Sequence, residues 1–578
     1  MGVVNNRART VSWAMALPLR ANEQLPAIGR SVPRREAPDK VTGRARYTDD
    51  LEFTDAWIGA TVRSTVARAR LNSIVFDTSF DWDRVAVATA ADVPGDNVVH
   101  LIDDDQPALV ADEIRHYAEP VVVLAAPNRN LLESALAHIH LEYEELEPVL
   151  DMEAATGELA NITIEKGDVT AALARAEIVV ERTFRMGHQE QLYIEPQAMV
   201  AVPNDDGVTI YGSLQCPYYV HRAVVRALAL PAEYVTIVQA ETGGAFGGKE
   251  EYPSMVAIHA ALLARSAGRP VRFVYDRHED LAATTKRHPG VIRHRTAVDA
   301  DGELLAQDID ILLDGGAYST LSGVVLSRCA IHAAGPYSCP NVSIKARAVA
   351  TNTPPNGAFR GFGAPQSQFA AELMVEHVAQ RLGVSSLELR RRWVLRPGDA
   401  TATGQQLTES VSGELVLDAA LRHAPPAEES SDETVKRGRG LALVYHGAGF
   451  TGSGEKYLAG RVAVECTEQG EFRVLTAQTE IGQGTNTILA QLAADGLQVP
   501  YEDVTIVPQD TSVVPDSGPT VASRTAMIVG NLVFEAAGEL RRRLASESPP
   551  LCVEREYVQP RSIRWDEDNC TGDAYPTY

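Results

Sequence analysis

Three glycine-rich turns carry the residues of this 578-residue chain whose types and spacing could do chemistry. The first reads GGAFGGKE over residues 243–250, between an apolar run expected as a strand (235–240) and one expected as a helix (252–267). Glycine allows φ > 0 and lets backbone N–H groups approach a ligand closely. A helix N-terminus beside such a turn favours an anion. The spacing is neither G-x-G-x-x-G nor a Walker A loop, so a plain tight strand–helix turn is the alternative. The second turn, NGAFRGFGAPQ at 356–366, sets Arg360 between Phe359 and Phe362 among glycines. A guanidinium fork binds anions and a phenylalanine stacks on planar ligands. The competing reading is an arginine packed on core aromatics. The third, TEIGQG at 479–484, precedes another helical pattern and by itself is a simple βα turn.

The elements that position these turns are read from periodicity. Residues 56–62, 85–89, 120–126 and 138–143 read as strands and 130–137 as a helix, a small α/β domain closed by an acidic, proline-ended linker at 142–148. Strands and helices alternate after about residue 165, with a helical pattern over 370–395 broken by a turn at 383–386. The stretch HAPPAEESSDETVKRGR at 423–439 is the clearest linker. Beyond it, 440–445, 460–466 and 472–479 read as strands, 486–497 and 527–544 as helices, and 551–578 shows little periodicity. The domain expectation is an N-terminal extension at 1–27 and domains at 28–150, 151–422 and 440–578, with the 423–439 linker between the last two.

Bulk properties exclude several roles. The net charge of −24 opposes binding to phosphate backbones or anionic membranes. The six cysteines include no C-x-x-C pair, which argues against an iron–sulfur or zinc site within the chain and against a disulfide framework. No apolar run reaches the roughly 18 residues of a membrane span. A cytoplasmic protein that binds neither nucleic acid nor membrane is the expectation.

Taken in order, the three turns resemble the molybdopterin-binding large subunits of the xanthine dehydrogenase/aldehyde oxidase family. DKVTGRARYTDD at 39–50, HYAEPVVVLAA at 116–126, HQEQLYIEP at 188–196, YDRHEDLAATTKRHP at 275–289 and PTVAS at 519–523 match further phrases of that family. The resemblance implies an α+β, α/β multidomain fold: an α/β hammerhead domain, then two molybdenum-cofactor-binding domains. It implies that the molybdenum cofactor, as molybdopterin or its cytosine dinucleotide, is held through the pterin dithiolene, so no protein metal ligand is needed. Carried over residue by residue, Gln215 faces a metal oxo group and the turn Gly244, Ala245, Phe246, Gly247 brings the Phe246 amide to the metal. Arg360 lies beside it. Gly482, Gln483 and Gly484 cradle the pterin, and Val521, Ala522, Ser523 and Arg524 close the far side.

The same resemblance places a planar substrate between Phe362 and Phe450, with Thr451 in hydrogen-bond reach. Glu250 and Arg328 match the polar pair that orients a purine, which favours a purine-like N-heterocycle over a simple aldehyde. A carboxylate at a helix start and a solvated helical arginine are the plainer readings of those two. Iron–sulfur and FAD subunits are implied as electron-accepting partners, and a dimer of such assemblies. The family's general-base glutamate is expected beyond Tyr578, so no catalytic residue is assigned within the chain. Three explanations are open for that: a separate C-terminal polypeptide completes the site, the chain is truncated, or it is a non-catalytic cofactor-binding, nucleotide-binding or assembly protein. Inactivity of the chain alone is the expectation.

Overall fold

The computed structural model describes residues 26–408, 410–424 and 434–575. The expected N-terminal extension lies almost wholly outside these, as does much of the expected 423–439 linker.

The first unit opens with α1 (Ala37–Val41) and then β1 (Trp57–Arg63), β2 (Ala69–Phe76), β3 (Ala86–Ala88), β4 (Glu113–Ile114), β5 (Pro120–Ala126), α2 (Arg129–Leu136) and β6 (Ile139–Glu145). Asn128 caps α2 by accepting from the Leu131 amide at 3.0 Å. The sheet β4-β2-β6 covers one side of an apolar cluster that includes Val122, Leu124, Leu132 and Ile139. The acidic run expected as a linker is strand as far as Glu145. Paired with β2, it turns Glu142, Glu144 and Glu145 outward, where a charged edge face costs nothing.

The next unit contains β7 (Gly157–Lys166), α3 (Val169–Arg175), β8 (Ile178–Met186), β9 (Ala198–Pro203), β10 (Val208–Gly212), α4 (Pro217–Leu228), β11 (Val235–Gln239), α5 (Pro253–Ala267), β12 (Val271–Val274) and α6 (Arg277–Ala283). It continues with β13 (Gly290–Val298), β14 (Leu304–Gly316), α7 (Ser322–His332), β15 (Val342–Ala350), α8 (Ala364–Leu382), α9 (Ser386–Trp393) and α10 (Gly413–His423). One sheet, β7-β15-β14-β13-β8, packs against α7 and α8. The other is continuous with the first unit: the order is β11-β10-β9-β12-β1-β5-β3, and β1 runs parallel to β12 with Trp57 opposite Val271. β5 is wholly buried, so its VVVL run serves two cores at once, one per face.

The last unit is a sheet, β18-β17-β16-β19, under two packed helices. Its elements are β16 (Arg461–Cys466), β17 (Phe472–Leu475), α11 (Thr485–Leu497), β18 (Val504–Ile506), α12 (Gly530–Leu544) and β19 (Leu551–Glu556). Three expectations change. The 551–556 stretch is a strand against β16, its register supplied by the partner and not by its own pattern. Residues 440–445 form no strand; the Leu443 and Tyr445 amides donate instead to Glu372 and Gln368 side chains of α8. The 370–395 pattern is two helices on either side of the expected turn at 383–386, but the first begins six residues early at Ala364, where Pro365 suits an initial turn.

Candidate functional site

The first glycine turn links β11 to α5. Phe246 takes φ +55° and Gly247 φ +104°, left-handed values that a glycine accepts and a phenylalanine adopts only under constraint. That constraint is the second turn. The Arg360 amide donates to the Phe246 carbonyl at 2.8 Å. A Cβ on Gly247 would stand 2.8 Å from the Ala358 carbonyl, so glycine is what permits this contact.

Gln215, at the entry to α4, ties the other loops to this pair. Its Oε1 accepts from the Gly247 amide at 3.0 Å, and its Nε2 donates to the Thr520 carbonyl at 3.1 Å. Its own carbonyl accepts from the Thr479 hydroxyl at 3.1 Å. One buried glutamine therefore joins the first turn, the third turn and the PTVAS loop. The Arg360 side chain is exposed, and its guanidinium has no hydrogen-bond or ion-pair partner among the described residues.

The third turn is held from within. Glu480 accepts from the amides of Gly482 at 2.7 Å and Gly484 at 3.1 Å through Oε1, and from Asn486 at 3.2 Å through Oε2. Gln483 accepts from the Ile481 amide at 2.8 Å and donates to Thr479 and Thr485. Gly482 and Gly484 stand at φ +109° and +99° with nothing within 4 Å on their open faces. Beside them, Ala522 and Ser523 are left-handed, and the Ala522 carbonyl accepts from the Gly449 amide at 2.6 Å. Arg524 is fully buried. It pairs with Glu455 at 3.2 Å and donates to the Ser517 and Ala459 carbonyls, so its charge braces the loop from behind.

The substrate candidates are anchored to the same loops. Arg328 on α7 is buried, which overturns the solvated reading. It donates to His446 at 3.0 Å, to the Gly447 carbonyl at 3.1 Å and to the Gly449 carbonyl. That clamps the segment leading into Phe450 and Thr451. The Phe450 amide in turn donates to Glu455 at 3.1 Å, the carboxylate that also pairs with Arg524. Phe362 takes φ +52° in the Arg360 turn and packs at the core's edge. Glu250 follows the first turn and is buried. Burial, then the charge of Glu251, pushes its carboxyl well above the usual range. Burial lowers the Arg328 guanidinium.

Supporting residues escaped the sequence reading. Lys249 is fully buried beneath the first turn and donates to Glu195 at 3.0 Å and Ser213 at 2.6 Å, while Glu195 also accepts from the Gly243 amide at 2.7 Å. Arg287, not Arg360, stacks on Phe359, at 3.8 Å from the ring centroid, and it donates to the Arg360 carbonyl at 3.0 Å. Glu195 and Arg287 lie in phrases already singled out at 188–196 and 275–289, but polarity alone did not mark their partners.

The loops offer backbone amides, the Gln215 side-chain amide and the unpaired Arg360 guanidinium, and Gly482 and Gly484 leave open faces. Among the described residues no group of three His, Cys, Asp or Glu side chains could hold a metal ion. Amide donors and an unpaired guanidinium fit an anionic organic ligand.

Comparison with known proteins agrees. The chain matches the aldehyde oxidase and xanthine dehydrogenase a/b hammerhead domain over residues 42–147, and molybdopterin cofactor-binding domains over 152–394 and 416–571. It is 34% identical over 538 residues to a probable xanthine dehydrogenase subunit of Bacillus subtilis, covering 89% of this chain and 72% of that one. It is 37% identical to the nicotinate dehydrogenase large molybdopterin subunit of Eubacterium barkeri, over 66% of this chain and 93% of that one. The aldehyde oxidoreductase of Desulfovibrio gigas superposes with a TM-score of 0.83 at 26% identity, over 94% of this chain and 64% of that one. The chain spans about two fifths of the length of the Drosophila subobscura xanthine dehydrogenase it matches. With a hammerhead domain, two cofactor-binding domains and these relatives, this chain belongs to the xanthine dehydrogenase/aldehyde oxidase family as a molybdopterin-binding large subunit.

Proposed function

We propose that this chain is the cofactor-binding and substrate-orienting subunit of a molybdenum hydroxylase acting on purine-like N-heterocycles or aldehydes, with water as the oxygen source. The observation that carries this reading is the convergence of Phe246, Arg360, Gln215, Thr479 and Thr520 on one set of hydrogen bonds. When bound, the molybdenum cofactor, as molybdopterin or its cytosine dinucleotide, supplies the two-electron oxidation of a substrate carbon.

The chain's own residues bind and orient. Arg360 offers an unpaired positive fork to the cofactor's anionic part. Gln215 and the 243–247 backbone present fixed dipoles where charge develops. Gly482, Gln483 and Gly484, with Val521, Ala522 and Ser523, shape the pterin's surroundings, and Arg524 braces them. Phe362 and Phe450 flank a planar substrate, with Thr451, Glu250 and Arg328 as its polar contacts. The pair Glu250 and Arg328 favours the N-heterocycle.

The carboxylate base that takes the proton from the attacking water is assigned to no residue here. Glu480, the acid inside the cofactor loops, is spent on three backbone amides. We propose that the assembled enzyme brings the base on another segment or polypeptide, and that iron–sulfur and FAD subunits take the electrons. Molybdenum analysis of the purified chain, with and without Arg360→Ala, tests cofactor binding. Equimolar metal in the parent chain and its loss in the variant are expected. A metal-free chain that binds nucleotide tightly overturns the reading in favour of a non-redox module. Hypoxanthine or aldehyde turnover by the isolated loaded chain overturns placement of the base elsewhere.

A further inference from the structure

Glu250 and Glu251 are adjacent, both buried, and differently served. Glu251 Oε1 accepts from the Thr285 hydroxyl at 2.8 Å and the Ala358 amide at 3.1 Å. The Glu250 carboxyl accepts no hydrogen bond among the described residues, and neither carboxyl is paired with a cation there. Donors favour the ionised form of the group that receives them. Two buried carboxylates on adjacent residues resist ionising together, as like charges in low dielectric repel.

Glu251 Oε2 has no partner, although the residue is only 4% exposed. Glu251 and Thr285 line a cavity of about 10 Å³, which Asp103, Asp105, Gln106 and Thr320 also line. That volume suits one water molecule, which needs two to four polar neighbours, and this lining supplies them. Asp103 and Asp105 are exposed and accept from the Ser319 hydroxyl and amide, both at 2.7 Å. Tyr252, which lines the same cavity, Cys216 just before α4 and Tyr219 within it are further titratable groups about the pair, and burial keeps each protonated.

We propose that Glu251 is a positioning residue that takes the negative charge of the pair, keeps Glu250 protonated so that it donates a hydrogen bond to substrate, and exchanges its own proton with solvent through one water at the 101–106 loop. The proton passes from the Glu251 carboxyl to that water and on to Asp105 or Asp103; no bond other than O–H is made or broken. This rests on the reading that Glu250 faces substrate. It goes beyond that reading by naming what the substrate must offer: an acceptor such as an unprotonated ring nitrogen or carbonyl oxygen. Consistent with the geometry, burial pushes the Glu251 carboxyl up to about 7 and the Glu250 carboxyl further.

Infrared titration of the purified chain, without cofactor, tests the pair directly. Parent protein should show carboxyl C=O absorption for two buried protonated groups in mild acid, one of them lost with a midpoint near pH 7. Glu251→Gln should abolish that transition and leave a single carboxyl that ionises at lower pH than Glu250 does in the parent. Thr285→Val, which removes a donor from the charged form, should raise the midpoint and serves if Glu251→Gln fails to fold. Urea denaturation supplies a second readout. A carboxyl raised in the folded state contributes stability below its unfolded value near 4.5 that is lost as pH rises to about 7. Glu251→Gln should flatten that limb.

An unchanged transition in Glu251→Gln, or an unmoved midpoint in Thr285→Val, overturns the proposal. Failure to bind molybdenum with the titration intact would instead sink the proposed function alone.

Discussion

The Arg360 amide and the Phe246 carbonyl meet at 2.8 Å, joining two glycine turns that lie far apart in the chain. Neither turn is rigid by composition. Each gains its shape from the other, and Gln215 locks both to the 479–484 and 519–524 loops.

Gln215→Leu removes two hydrogen bonds at a buried three-way junction. It leaves the Gly247 donor and the Thr520 acceptor unmet, at about 1–3 kcal/mol each when no water replaces them. A fall of that order in urea-unfolding free energy is expected, together with reduced molybdenum content. A variant that keeps full metal at full stability would show the junction to be incidental.

Gly247→Ala suffers twice, from φ +104° and from a Cβ 2.8 Å from the Ala358 carbonyl. Gly268→Ala, at φ +61° with nothing within 4 Å, meets only the left-handed backbone penalty of about 1–2 kcal/mol. Thermal melts should order them clearly, with Gly247→Ala the lower. Equal melting temperatures would contradict the close approach of the two turns.

Arg360 and Arg524 should separate function from stability. Arg360 is exposed and unpaired, so Arg360→Ala should change stability by no more than about 0.5 kcal/mol while weakening cofactor retention. Arg524→Met strands the buried Glu455 carboxylate, at about 3–5 kcal/mol. Denaturant titrations of both, paired with metal analysis, check the contrast.

Three histidines set an acid limit. Burial lowers His259 to about 4, and His288 and His294 to about 3, so each is neutral in the folded chain and charges on unfolding below about 6.5. A depressed histidine binds its proton more weakly when folded. Its contribution is therefore full above 6.5 and lost as pH falls toward 3–4. Each costs up to about 1.4 kcal/mol per pH unit in that window. His294→Gln should flatten the acid limb of a stability-versus-pH curve by about one proton.

Much of the order of elements was legible from local pattern. Periodicity marked β5 and α5, because buried apolar faces repeat at the period of the structure that buries them. The phrases GGAFGGKE, FRGFG and TEIGQG marked the loops, because glycine placement records backbone conformation directly. Together with their flanking phrases, they determined the family. Pattern failed where long-range partners decide. β19 has register only against β16, the 440–445 segment spends its amides on α8, and the hammerhead strands β1, β3 and β5 share a sheet with β9 to β12 from the next unit.

At the site, the residue types came from the chain and the roles from its folding. Nothing local distinguishes Arg360, which is exposed and unpaired, from Arg524, which is buried against Glu455. Nor does it separate Glu250 from Glu251, since only the distant Thr285 and Ala358 donors tell them apart. Charge and hydrogen-bonding capacity belong to a residue. What that charge does depends on desolvation and partners, and these exist only once remote segments have packed together.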